Sequence, residues 1–170
     1  ASYLDMHPHR QPRAAHQKYH IFADLRGGRT HIACSRERTP MSKTDIPTAL
    51  TDLLFTPGLD LHEATDRHFA PDYRQRTDGE WADREGFVEH IAHLRTIVAT
   101  GSVEVHDELY DGPRYADRHT VEITKTDGST VRTEVYVFGE FAPDGRFRRI
   151  EETTLMLHGS EADRNIGSAR

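Results

Sequence analysis

The sequence predicts an α+β domain, with helices first and an antiparallel meander second. Three observations carry this expectation. Apolar residues recur at the helical period up to Gly101, the period changes to 2 from residue 102 onward, and Asp-Gly pairs at 111–112, 127–128 and 144–145 punctuate the second half. Asp-Gly marks hairpins because its glycine enters positive φ without a Cβ clash. Helices followed by a run of strands must cover one face of the sheet.

Taken in order, Asp45 is placed to cap a first helix over Ile46, Leu50, Leu53 and Leu54, which Pro57-Gly58 stops. A second helix is expected from Asp60 to Phe69, with Leu61, Ala64 and Phe69 inward and Pro71 ending it. The stretch DYRQRTDG at 72–79 reads as a short strand entering a turn. Asp83 caps a longer third helix whose Phe87, Ile91, Leu94 and Val98 keep the helical period, and Gly101 closes it. Strands follow near 102–110, 114–126, 129–142 and 146–157.

Composition bounds the function. In a chain of 170 residues, 35% are hydrophobic and 29% charged, which suffices for one core. A formal net charge of −6 argues against a general nucleic-acid binder. No apolar run has the length of a membrane span, and the single cysteine, Cys34, excludes an intrachain disulfide. With no secretory-signal order at the N-terminus, a cytoplasmic location is expected. Residues 1–40 carry a balance of +4 and five of the 12 His, against −10 in 41–170. They lack periodicity and read as a basic, disordered extension, with Met41-Ser42-Lys43 a candidate translation start. The domain proper is expected over 41–158, with a flexible tail at 159–170.

A two-residue turn at Asp127-Gly128 pairs Thr126 with Ser129, so Arg118 faces Val137 and Thr120 faces Val135. Alternation then puts Val103, Val105, Asp107, Ala116, Arg118, Thr120, Val131, Val135, Val137, Ile150, Glu152, Thr154 and Met156 on the helix-covered side. Tyr115, Asp117, His119, Tyr136 and Phe138 fall on the outer side, where aromatics among charges suit a homodimer surface. Three interior charges result: Asp107, Arg118 and Glu152. A buried guanidinium needs acidic partners, and here two carboxylates flank it. Such a polar patch in an apolar cavity is the usual form of a small-molecule site, and equally of a satisfied ion-pair network.

The order of FAPDYRQRTDG, ADREGFVEHIAHL and DGRFRRIEETTL resembles the nuclear transport factor 2-like superfamily, over about residues 44–158. This group includes SnoaL-like cyclases, ketosteroid isomerases and limonene epoxide hydrolases. The resemblance implies a cone of three helices packed on a curved antiparallel sheet of four to five strands. By similarity to limonene epoxide hydrolases, Tyr73 and Gln75 match a water-holding Tyr and Asn, and Arg118 and Glu152 match the Arg and last Asp of the site. The middle Asp, which deprotonates water in that family, is Thr120 here, so Glu152 or Asp107 is left to supply a base.

Two readings follow. In one, the domain is an enzyme of isomerase or hydrolase type acting on a small, mainly apolar organic molecule. Glu152 is its acid/base, Arg118 the orienter, Asp107 a second carboxylate and Tyr73 a hydrogen-bond donor. In the other it is a non-catalytic binding or association module. Gln75, Thr120, Val135 and Thr154 are expected to contact the ligand, with Trp81 as a lid or packing group and His90 at the border of the third helix's apolar stripe. No cofactor and no metal are expected: the His90/His93 pair lacks a third ligand, and HEATD at 62–66 ends in Asp66 rather than a second His. His119 and Tyr136 face each other in this register, on the outer side.

Overall fold

The computed structural model describes residues 43–164, 166 and 167. The expected extension at 1–40 and the candidate start at Met41 lie outside the described residues.

Helix α1 (Ile46–Leu50) begins where the Asp45 carboxylate accepts a hydrogen bond from the Thr48 N–H, and it runs on into a π-helical turn at Thr51–Phe55. Ile46, Ala49 and Leu53 bury one side of this unit. Helix α2 (Leu61–His68) is capped by Asp60 through the Glu63 N–H, and α3 (Arg84–Ile97) by Asp83 through the Gly86 N–H. Each cap satisfies one of the donors that a helix start leaves unpaired, worth about 1 kcal/mol. Phe87, Ile91 and Leu94 on α3 are buried, as the period requires.

The strands are β1 (Phe69–Thr77), β2 (Glu80–Asp83), β3 (Val98–Asp111), β4 (Arg114–Lys125), β5 (Thr130–Phe141) and β6 (Phe147–His158). They form one sheet in the order β2-β1-β6-β5-β4-β3. The sheet is mixed and six-stranded rather than antiparallel and four- to five-stranded. β1 pairs in parallel with β6, and β2 adds a short hairpin to β1. That hairpin turns at Asp78 (φ 51) and Gly79 (φ 101), two successive positive-φ residues suited to strand twist. Gly101, expected as the α3 terminator, lies inside β3, because α3 ends at Ile97. A Cβ there would stand 2.5 Å from the Glu122 carbonyl oxygen and 2.6 Å from the Phe55 ring, so its role is close packing.

The turn after β4 corrects the expected register. The Lys125 N–H donates to the Ser129 carbonyl and the Gly128 N–H to the Lys125 carbonyl. The loop therefore has three residues, and Thr124 rather than Thr126 opens the ladder, opposite Thr130. A one-residue slip sends every side chain of a strand to the other face. Arg118 pairs with Tyr136 and Thr120 with Glu134, while Asp117 pairs with Val137 and His119 with Val135. Tyr115, Asp117 and His119 thus point inward, and Ala116, Arg118 and Thr120 outward. A second irregularity separates Val105↔His119 from Asp107↔Arg118, a bulge that turns Asp107 outward and Glu108 inward. β5 and β6 keep the expected faces, with Val137 opposite Glu152 and Val135 opposite Thr154.

The core lies between the helices and the inner sheet face. Its aromatic part stacks Phe69, Tyr73, Phe87, Tyr115, Phe141 and Phe147 with ring centroids 4.6 to 6.0 Å apart. Beyond β6, the segment expected as a tail contains a 3₁₀ turn at Glu161–Asp163, and Ile166 packs against the core. No helix among the described residues is long and apolar enough to cross a membrane.

Candidate functional site

A cavity of about 130 Å³ opens between α1, α3 and the inner sheet face. Its wall is mostly aliphatic, with Leu50, Leu54, Ile91, Leu94, Val121 and Ile123 among its residues. Polar groups enter from two sides.

From β4 comes His119, which is 2% exposed. Its Nδ1 lies 2.9 Å from Asp117 Oδ2, and both side chains are buried. The two residues reach the same side because they are two apart on a strand. A carboxylate accepts only, so Nδ1 carries the proton in this bond and Nε2 is the ring nitrogen left to the cavity. Asp117 Oδ1 is buried with no hydrogen-bond partner among the described residues. An unsatisfied buried carboxylate oxygen is costly, and such exceptions concentrate where the structure serves something other than stability.

From β1 and β6 comes a connected chain. The Tyr73 hydroxyl donates to Gln75 Oε1 at 2.6 Å. Gln75 Nε2 donates to Glu152 Oε1 at 2.8 Å and to Thr77 Oγ1 at 3.0 Å. The Thr77 hydroxyl also donates to Glu152 Oε1, at 2.8 Å. Tyr73, Gln75 and Thr77 alternate along β1 and so share its inner face. Burial pushes the Glu152 carboxyl above its ordinary range, against the lowering pull of the Thr77 hydrogen bond and of His119. Burial, and then the Glu152 charge, push the Tyr73 phenol well above its ordinary value, so it stays a donor. β5 lies between β4 and β6, which sets the His119 and Glu152 strands about 10 Å apart, two inter-strand spacings.

Of the residues expected from the sequence, Glu152, Tyr73, Gln75, His90, Val135 and Thr154 line this cavity. The Thr154 hydroxyl is itself held by Asp78. Arg118, Asp107 and Thr120 do not line it. Arg118 lies on the outer face, where Nε donates to Asp107 Oδ2 and Nη1 to Glu134 Oε1, both at 2.9 Å. The guanidinium does find two carboxylates, but one is Glu134 rather than Glu152, and the cluster faces solvent. Thr120, also outward, is covered by its neighbours and meets His106 Nε2 at 2.7 Å. Trp81 is 46% exposed on β2, with the Arg74 guanidinium over its ring, and does not line the cavity. His119 faces Val135, not Tyr136.

His119 and Asp117 are the functional candidates that the expected register missed. A signal for them existed: Val121 and Ile123 share their side, whereas Glu122 shares the side of Arg118. Among the described residues, no group of three or more His, Cys, Asp or Glu side chains is placed to hold a metal ion.

A helix-backed sheet with a largely apolar, polar-edged cavity is the class of architecture this chain adopts. The chain belongs to the SnoaL-like domain family, whose family model matches residues 59–150. An uncharacterised protein of Schizosaccharomyces pombe is 34% identical over 100 residues, covering 59% of this chain and 76% of that protein. Among solved structures, AclR of Streptomyces galilaeus, provisionally assigned as a hydroxylase, is similar at 18% identity and a TM-score of 0.51, covering 65% of this chain and 76% of AclR. A provisionally assigned isomerase of Rhodopseudomonas palustris is 8% identical with a TM-score of 0.54, covering 71% and 91% of the two chains. These likenesses show the nuclear transport factor 2-like fold.

Proposed function

We propose that the domain catalyses proton transfer on a small, mainly apolar carbonyl compound. The observation that carries this reading is His119, held by Asp117, lining an aliphatic cavity that a carboxyl group held above its ordinary range, Glu152, also lines. In this scheme Asp117 fixes the His119 tautomer and steadies the imidazolium that forms. His119 Nε2 takes a proton from the carbon beside the substrate carbonyl, and the electron pair moves to the carbonyl oxygen. Glu152, in its protonated form, donates a hydrogen bond to that oxygen. Return of the proton from Nε2 to another carbon completes an isomerisation; return to the same carbon leaves only isotope exchange. Tyr73, Gln75 and Thr77 orient Glu152.

The experiment is a turnover screen of enolisable ketones, lactones and epoxides with wild type, His119→Ala and Asp117→Asn. General-base loss is expected to lower the rate about 10²–10⁴-fold in His119→Ala, with a smaller loss in Asp117→Asn. Turnover confined to lactones or epoxides would move the reading to hydrolysis. A second reading, a non-catalytic ligand-binding module, is favoured by one feature: the Tyr73–Gln75–Glu152 chain is satisfied without a ligand. It is the reading to adopt if wild type turns over nothing in the screen yet binds members of it.

We further propose that two copies associate through the outer sheet face. Leu109 (70% exposed), Phe138 (73%) and Leu155 (53%) present apolar surface there, and Phe138 and Leu109 flank Ala116 on adjacent strands.

A further inference from the structure

We infer that the strap after β6, residues 160–164 with Ile166 and Gly167, is part of the binding site and that Ile166 is its size-determining residue, setting how large a ligand the cavity accepts. The inference rests on the cavity being a ligand site, as proposed above, but not on its chemistry.

Four observations carry it. First, Ile166 and Gly167 both line the cavity, and Ile166 packs against the core although it lies beyond the last strand. Second, Gly167 also lines a neighbouring hollow of about 170 Å³ bounded by Gln75, Thr77, Glu80, Ala82, Gly86 and His90. Gln75, Phe87 and His90 are common to both spaces as well, so the strap stands at their junction. Third, the strap lies close against the sheet: a Cβ on Gly167 would be 3.3 Å from Thr154 Cγ2 and 3.9 Å from Thr77 Cγ2. Fourth, the strap is anchored. Asp163 accepts from the Ser160 N–H at 2.9 Å and the Ser160 hydroxyl at 2.6 Å, and from Lys125 Nζ at 2.9 Å. The Lys125 contact ties the strap to the end of β4, the strand that carries His119.

Size makes the arrangement consequential. Drug-sized ligands occupy pockets of roughly 300–1,000 Å³, well above the space found here. With the strap in place the cavity suits a molecule of few carbons. Withdrawing the Ile166 side chain enlarges the cavity on the strap side and admits a larger one. One methylene in an apolar pocket is worth about 10-fold or more in discrimination, so a side chain of four carbons at this boundary is enough to set the limit.

The test measures dissociation constants by protein-observed NMR for cyclopentanone, cyclohexanone, cycloheptanone and cyclooctanone. The proteins are wild type, Ile166→Val, Ile166→Ala, Ile166→Trp and Lys125→Met, each checked for native dispersion of its spectrum. Wild type is expected to favour the smaller rings. Ile166→Ala should raise the cyclooctanone-to-cyclopentanone affinity ratio by about 10-fold, Ile166→Val should move it the same way by less, and Lys125→Met should resemble Ile166→Val. Ile166→Trp should weaken every ring. A ratio within twofold of wild type in both Ile166→Ala and Ile166→Val overturns the inference, and so does failure of all five proteins to bind any ring. If the ratio shifts while ketone turnover is absent or indifferent to His119→Ala, the size limit stands and the proton-transfer reading falls. If turnover depends on His119 but the ratio is fixed, the reverse holds.

Discussion

Glu152 is one of six expected residues that line the cavity, and the reason for its placement is local. Its strand keeps the expected alternation, so an acidic side chain must enter the apolar side. Its folded-state pKa is raised by burial, so the folded protein holds the proton more tightly than the unfolded chain. Stability then falls as pH rises from the ordinary carboxyl range through the raised value. Glu152→Gln removes that dependence while keeping the shape. The variant is therefore expected to melt at a higher temperature relative to wild type at pH 8 than at pH 4, by differential scanning calorimetry. A constant difference across that range would mean that Glu152 titrates as it does in the unfolded chain. His119 and Asp117 were less legible. Each is an ordinary polar residue in a strand, and only their side of the strand distinguishes a site from a surface.

At the level of elements, the helices were readable because their caps and periods are local signals: Asp45 and Asp83 cap as expected, and Asp60 caps the second helix as well. The sheet was harder, because register depends on one hydrogen bond in a loop. Asp127-Gly128 suits both a two-residue and a three-residue turn, and the choice between them moves Arg118 from the interior to solvent and His119 the other way. Neither the parallel β1–β6 pairing nor the His106 bulge has a short-range signature. Gly101 shows the same limit: a glycine after a helix suggests a terminator, yet here it allows β3 to pass the Phe55 ring. Gly101→Ala is expected to lower unfolding free energy by about 1–3 kcal/mol through overpacking, read as a lower urea midpoint with unchanged slope. An unchanged midpoint would show that both the Phe55 ring and the Glu122 carbonyl give way at no cost.

The whole molecule places its apolar surface unevenly. The inner sheet face is covered by helices and the outer one is not, and the outer one carries the exposed Phe138 and Leu109 beside the Arg118–Asp107–Glu134 cluster. A two-fold association through that face is expected to give a dimer by light scattering, and Phe138→Asp to give a monomer with its cavity-binding properties retained. A monomeric wild type would remove the interface. The family match over 59–150 covers α2, α3 and β1 to β5, with His119 and Asp117, whereas α1, Glu152 and the strap lie outside it.

The proposed chemistry depends on His119 presenting a bare Nε2 to the cavity while Asp117 holds the proton on Nδ1. Two-bond ¹H–¹⁵N correlation spectra of the imidazole rings at pH 9 read this directly. The expected result is a His119 ring protonated at Nδ1 alone, whose Nε2 resonance moves when a ring ketone is added. A ring protonated at Nε2, or at both nitrogens, or an Nε2 signal indifferent to every ketone that binds, would contradict it.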